Sequence, residues 1–366
     1  MRGGSDPQLA MLSTLSTEDL IPADHPIRRI RAVIDRVLVS MDDVFDGMYS
    51  AKGRPSVPPE SLLKATILMA MYSIRSERAF CERLNYDLLF KWFLDMPIDA
   101  KAFDATTFTK NRKRLLEHEV ADRFFAEVVG QAKLRRYLSS DHFSVDGTLL
   151  EAWASHKSFK PKDQPPTDPS DPPAVSGKNV ESDFHGEKRS NKTHESTTDP
   201  EARLARKSMA TAAKMCFAGH LLMEHRNALI VDVELTQADG FAERDAARTL
   251  LGRLPKRSRR RTIAADKAYD TAGFVADVRA MGFTPHIAPN TTRQRSTIDG
   301  RTTRHRGHVS SQRIRKRIEE PFGWVKTIAG GRKLRYKGKD RNSAWFKMTV
   351  ATYNVIRITA IDTATA

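Results

Sequence analysis

The chain is 366 residues long and 40% apolar, with 61 Lys and Arg against 45 Asp and Glu, a formal charge of +16 and a mean hydropathy of −0.50. That length suits two domains with a sizeable core and excludes a small stapled scaffold. Cys81 and Cys216 lie too far apart to read as a disulfide framework, no apolar run reaches the roughly 18 residues of a membrane span, and no signal-peptide core is visible, so a cytoplasmic protein with a polyanionic partner is expected.

Residues 28–39 place Ile30, Val33, Ile34, Val37 and Leu38 at helical spacing. Pro58 and Pro59 then precede Leu62, Leu63, Ile67, Ala70 and Met71, proline being suited to a first helical turn. Ser76 can cap the next helix, which carries Phe80, Leu84, Leu88 and Leu89 ahead of the aromatic cluster Phe90, Trp92 and Phe93. Thr106 or Thr107 offers an N-cap to a helix with Phe108, Leu115 and Leu116 on one side and Lys110, Arg112, Lys113 and Arg114 elsewhere. A helical domain over residues 1–135 follows, and Lys110 and Arg112 are its candidate DNA contacts. A helix-turn-helix and an ordinary helical bundle both fit it.

From residue 136 onward, short strand-like runs alternate with helices, the pattern of an α/β domain. Residues 142–150 read as a strand. Six prolines fall between residues 161 and 173, and the segment from about 156 to 207 reads as a polar, loosely held insertion. Residues 214–224 and 229–236 form a strand pair around His225, Arg226 and Asn227. Asp239 or Gly240 starts a helix through Leu250, with Glu243 placed for a capping box if Gly240 is the cap. Strands at 262–265 and 284–288 flank a helix from Thr271 to Met281, and residues 312–326 are helical.

Basic residues concentrate late in the chain. Between Arg253 and Arg341 stand 24 Lys and Arg against 7 acidic residues, so this stretch carries the whole excess. One such cluster is ordinarily a solvated face. Several in succession repel one another, and a phosphate backbone is the anion that would neutralise them, with strong salt dependence.

Three carboxylates stand at element ends. Asp146 follows an apolar run in Ser-Val-Asp-Gly-Thr, and Asp266 repeats the design in Ala-Ala-Asp-Lys-Ala-Tyr-Asp, where Asp270 reads as a turn or cap residue. Glu319 is spaced four residues from Arg315 and seven from Lys326, which puts the three on one helical face. Arg315 and Glu319 alone also read as a surface pair worth ~0.3–0.5 kcal/mol. Glu320 points about 100 degrees away, and Pro321 would interrupt the helix there. Brought together, such carboxylates would repel without hard divalent cations, which accept oxygen ligands and assist phosphodiester displacement.

The three blocks resemble DDE transposases of bacterial insertion sequences: Ser-Val-Asp146-Gly-Thr, Ala-Asp266-Lys-Ala-Tyr-Asp, and Arg315 with Glu319 and Lys326 around Phe322-Gly323-Trp324. Residues 73–93, the Thr106–Arg112 segment and Phe184-His-Gly-Glu-Lys-Arg-Ser190 extend the likeness over nearly the whole chain. The resemblance implies a helical N-terminal domain that binds DNA ends, then, over residues 136–366, an α/β catalytic domain with the ribonuclease-H-like mixed sheet. It implies Asp146, Asp266 and Glu319 as catalytic, metal-binding residues with Mg²⁺ or Mn²⁺, two ions per site. It further implies cleavage at the terminal inverted repeats followed by strand transfer, on double-stranded DNA of transposon ends and target, without a covalent protein intermediate. Arg313, Arg315, Arg317, Lys326, Arg332, Lys333 and Arg335 join Lys110 and Arg112 as expected DNA contacts. Action on two ends implies a homodimer or larger assembly in the bacterial cytoplasm, at the nucleoid, with no membrane partner. In related elements a tyrosine precedes the arginine by three residues. Gln312 stands there, so no hairpin or base-flipping role is carried over.

Two other classes fit the residues: a nuclease of the same fold without strand transfer, and a catalytically silent DNA-binding protein. Trp324 reads as a core aromatic or as a platform for an unpaired base. His305 and His308 read as solvated or phosphate-contacting rather than metal ligands. Gly330-Gly331 lacks the Walker spacing, so ATP use is not indicated.

Overall fold

A computed structural model describes residues 16–48, 56–162, 190–208, 210–291 and 296–365. The 184–189 part of the family likeness and most of the proline-rich run lie outside the described residues.

Eight helices open the chain: α1 (Thr17–Leu20), α2 (Pro26–Val39), α3 (Asp42–Met48), α4 (Pro59–Met71), α5 (Glu77–Leu84), α6 (Leu88–Phe93), α7 (Thr106–Glu117) and α8 (Val120–Leu134). Their starts follow local chemistry. Pro26 and Pro59 occupy first-turn positions, where the missing N–H costs nothing. Ser76 accepts from Ala79 N, and Asp87 from Phe90 N. At α7 the expected threonine cap gives way to Asp104, whose carboxylate accepts from Thr106 N at 2.7 Å with the helix already begun. Lys64, which interrupts the apolar run, is buried and paired with Asp35 at 2.8 Å and Asp95 at 2.5 Å. An ammonium can be buried there because two carboxylates meet it.

The strands are β1 (His142–Glu151), β2 (Phe159–Pro161), β3 (His194–Ser196), β4 (Arg203–Ala205), β5 (Lys214–Glu224), β6 (Ile230–Gln237), β7 (Arg261–Ala265) and β8 (Phe283–Ile287). The main sheet runs β6-β5-β1-β7-β8, with β4 beside β5 on the β6 edge. β1, β5 and β6 are antiparallel neighbours, while β1, β7 and β8 are parallel. A three-strand meander continued by two parallel strands is the ribonuclease-H-like order, as expected. Ten of the eleven β5 residues are buried, which marks it as the strand covered on both faces.

Two helices, α9 (Ala242–Arg253) and α10 (Ala272–Ala280), close one face over Phe143, Val145, Leu222 and Ile263. Towards the C-terminus come α11 (Gly300–Arg304), α12 (Arg306–Arg315), α13 (Glu319–Thr327) and α14 (Lys339–Thr365). α12 packs on β7 and β8, whereas α14 packs on β6 and on α2, α4 and α8. Gly219 lets α14 approach β5: a Cβ there would sit 2.9 Å from the Phe346 ring.

Several expectations are corrected. The helix expected over 312–326 is two helices joined by a 3₁₀ turn at Lys316–Ile318, and Pro321 falls harmlessly in the first turn of α13. Asp239 accepts from Phe241 N and Ala242 N ahead of α9, so neither the Gly240 cap nor its capping box forms. The flanks of the insertion fold: β2 pairs with β3, and Ser158 and Ser196 share a buried hydrogen bond at 2.7 Å. His308 is buried against the Ile287 carbonyl rather than solvated.

Glu224 closes the β5–β6 turn. Its buried carboxylate accepts from Ser139 N, Arg226 N, Asn227 N and Leu229 N at 2.7–3.1 Å. Glu224→Ala strands four backbone donors and is expected to cost about 3–5 kcal/mol, with Glu224→Gln losing less, since half of the acceptor set survives. Urea unfolding monitored by circular dichroism checks this; an unchanged midpoint for Glu224→Ala would contradict it.

Candidate active site

Strand register decides where the two aspartates sit. In the parallel β1–β7 ladder, Ser144 lies opposite Ala264. Two residues further along both chains, Asp146 and Asp266 stand side by side on one face, because side chains alternate with period two. β7 ends at Ala265, and Asp266 turns the chain by accepting from Ala268 N at 2.8 Å. Asp146 accepts from the Gly147 N–H at 2.8 Å.

Burial pushes the Asp146 carboxyl from 3.8 up to about 6. The Gly147 N–H opposes the shift, the Asp266 charge adds to it, the Arg315 guanidinium opposes it, and Glu243 adds again. Arg315 therefore acts on the aspartates from the end of α12. Gln312 holds that helix: its amide donates to the Ala265 carbonyl at 3.3 Å and to the His286 carbonyl, and its oxygen accepts from Arg315 Nε at 3.3 Å. The residue in the tyrosine's place thus ties the arginine to the ends of β7 and β8.

Glu319 is placed differently from the expectation. The 3₁₀ turn after Arg315 breaks the four-residue spacing, and the ion pair that forms is Arg317–Glu320 at 3.5 Å. Glu319 is exposed at the start of α13. Among the described residues, no three His, Cys, Asp or Glu side chains come close enough to hold one ion. Lys326 reaches the aspartate face: its ammonium donates to Thr148 Oγ1 at 2.6 Å, and Thr148 lies two residues beyond Asp146 on β1. Burial lowers the Lys326 pKa, with Lys207 and Arg332 acting in the same direction.

The expected DNA contacts divide into two groups. Lys110, Arg313 and Arg332 are exposed, and Lys333 lies 5.9 Å over the Trp153 ring. Arg112 and Arg335 face inward, which corrects their assignment. Arg112 is paired with Glu77 and stacked 4.4 Å over Tyr336, while Arg335 donates to the Ile74 carbonyl with its Nε buried. Trp324 packs on the core beside Tyr353, with ring centroids 5.9 Å apart. Asp270 behaves as the expected turn residue, accepting from Asn290 N and Thr297 N.

Two residues near the aspartates went unrecognised in the sequence. Glu243 opens α9 and Tyr269 lies under the Asp266 turn. Glu243 does share the sequence position of the other two acids, just past a strand, in Asp239-Gly-Phe-Ala-Glu243.

The chain matches a Transposase domain (DUF772) over residues 15–114 and a Transposase DDE domain over residues 183–355. The chain belongs to the DDE transposases. It is a metal-dependent DNA-cleaving enzyme. The DDE match contains Asp266, Glu319 and Lys326, while Asp146 precedes it. No curated protein matches the sequence. Among solved structures, the chain is similar to a piggyBac transposase synaptic complex with hairpin DNA at 8% identity, covering 93% of this chain and 76% of that one, with a TM-score of 0.40. It is similar to a Mos1 strand transfer complex at 10% identity, covering 79% and 82%, with a TM-score of 0.21. Likenesses this weak support no conclusion about this transposase.

The raised Asp146 carboxyl has a consequence for stability. Between pH 3.8 and about 6 the folded chain keeps a proton that the unfolded chain has lost, so stability from this group falls as pH rises through that window. In metal-free buffer with EDTA, Asp146→Asn is expected to be more stable than the parent at pH 7.5 by roughly 1–3 kcal/mol, with the gain gone below pH 4. Thermal unfolding at both pH values checks it, and equal midpoints at pH 7.5 would contradict the burial argument.

Proposed function

We propose that this transposase binds the terminal inverted repeats of an insertion sequence, cuts the DNA there and joins the freed end to target DNA, with Asp146, Asp266 and Glu319 as the acidic residues of the reaction. The single observation that supports this most is the pairing of Asp146 with Asp266 on adjacent parallel strands under Arg315.

The oxygen-donor set fits a divalent cation. Two half-buried carboxylates side by side raise each other's charging cost, and Mg²⁺ needs only one or two protein carboxylates when substrate phosphate and water complete its shell. Asp146 and Asp266 would hold Mg²⁺ or Mn²⁺, two ions in the full site, with Glu319 joining from the head of α13. When bound, such ions activate a nucleophile and stabilise a leaving oxygen.

The chain's own residues do the rest. Arg315, fixed by Gln312, and Lys326, fixed by Thr148, present cations on the aspartate face, where they hold the scissile phosphate in line. Arg313, Arg332, Lys333 and the exposed Lys110 of α7 hold the flanking duplex through its phosphates and position it rather than read its bases. Water attacks at the transposon end and frees a 3′-hydroxyl. That hydroxyl then attacks a target phosphodiester, so one bond forms as one breaks in each step, without a covalent protein intermediate. Two ends must be joined, so the working assembly is a homodimer or larger on double-stranded DNA. No described helix is long and apolar enough to cross a membrane, and action at the bacterial nucleoid fits the charge.

The test uses a duplex carrying the parent element's terminal repeats, with Mg²⁺ or Mn²⁺. Asp146→Asn and Asp266→Asn are each expected to lower cleavage by roughly three orders of magnitude, about 4 kcal/mol, with Glu319→Gln similarly affected. Cleavage unchanged in Asp146→Asn would exclude the assignment. In binding assays, Arg313→Ala and Arg332→Ala should each reduce the slope of log affinity against log salt by about one, with all sequences weakened alike. Loss confined to the cognate repeat would show base reading instead.

A further inference from the structure

The site has an acidic residue that the three-carboxylate pattern does not include. Glu243 stands in the first turn of α9, half-buried, and makes no hydrogen bond or ion pair among the described residues. Its side chain lies on the Gly147 backbone. A Cβ at Gly147 would fall 3.0 Å from Glu243 Cγ and 3.3 Å from its Oε1. Gly147 follows Asp146 directly, so the absent side chain admits this carboxylate beside the aspartates.

Two buried polar atoms without partners border the same place. The Tyr269 hydroxyl is fully buried and unbonded. Burial raises its pKa well above 10, and the charges acting next in that direction are Glu243, Asp146 and Asp266, in that order. The phenol thus lies in the field of all three carboxylates. His220 is also fully buried. Its Nε2 bonds Thr236 Oγ1 at 2.8 Å, while its Nδ1 has no partner and lies 2.9 Å from the same missing Cβ. Buried polar atoms are ordinarily satisfied, and orphans that converge on one carboxylate mark a place built to hold it. Arg244, the neighbouring cation, is turned to the Ala268 carbonyl at 3.2 Å.

We propose that Glu243 is a further metal-facing carboxylate of this centre, standing opposite α13 across Asp146 and Asp266, with Tyr269 and His220 as the positioning residues that orient it. The proposal rests on the reading that Asp146 and Asp266 hold divalent cations. It gives the centre an acid from the α9 side of the sheet, where the geometry already brings Glu243 against the aspartates.

The experiment measures Mn²⁺ binding to the full-length protein without DNA, by calorimetry and by the Mn²⁺ electron paramagnetic resonance signal. Glu243→Gln keeps the shape and removes the charge, and it is expected to weaken Mn²⁺ binding by roughly 10- to 100-fold. Tyr269→Phe is expected to weaken it less, by about tenfold or below. Glu243→Gln binding Mn²⁺ within twofold of the parent, while Asp146→Asn loses it, would overturn the role of Glu243 and leave the aspartate site standing. Unchanged binding in both would overturn the aspartate reading itself, and the role of Glu243 with it. Should Glu243→Gln fail to fold, Fe²⁺-directed hydroxyl-radical cleavage of the unaltered protein decides. Backbone cuts at residues 242–244 together with cuts near Asp146 and Asp266 support the proposal, whereas cuts at the aspartates alone refute it.

Discussion

The parallel pairing of β1 with β7 is the constraint on which the site depends. Hydrogen bonds at Phe143 and Ser144 settle the level of every residue beyond them, so two acids 120 positions apart in the chain arrive at one height. A slip by one residue would turn one aspartate to the opposite face. The register is protected by burial, since Phe143, Val145 and Ile263 fill one core on the α9 and α10 side. Apolar packing thereby enforces a repulsive arrangement of charges that the carboxylates alone would avoid.

Positive charge serves two separate purposes. Arg112, Tyr336, Glu77 and Arg335 knit α5 and α7 to the segment before α14, in contacts that keep guanidinium groups out of water. Arg313, Arg332 and Lys110 remain exposed. A buried guanidinium with a carboxylate and an aromatic face is already satisfied, so it has little left for a phosphate. Counting arginines along the chain therefore overstates the surface that DNA can meet.

The sheet was legible because its strands follow simple patterns: the β5–β6 hairpin around His225, the two acids at strand ends, and the alternation of strand and helix after residue 136. Caps were legible where serine or proline supplied them and misread at α7 and α9, where an aspartate two or three residues earlier competed for the same N–H groups. α14 escaped notice. It buries residues all round, Asn342, Trp345, Thr349, Val350 and Asn354 among them, so no apolar stripe announces it. Arg315 and Glu319 were read on one continuous helix, and only coordinates reveal the 3₁₀ turn that separates them. Glu243 was obscured by its resemblance to a capping residue, since nothing local tells a cap from a carboxylate that faces a neighbouring strand.

α14 joins the layers of the molecule, with Phe346 against Gly219 and Asn354 bonded to the Ile230 backbone from both its amide and its oxygen. It also comes after every element it touches in the order of synthesis. While the ribosome is still translating this segment, the outer face of the meander is bare and the helical half has nothing to dock against. A message cut short before Trp345 would yield arginine-rich protein with no finished scaffold beneath it, a polycation that clings to nucleic acid without severing it. Reading the last codons thus doubles as a safety catch on the host chromosome.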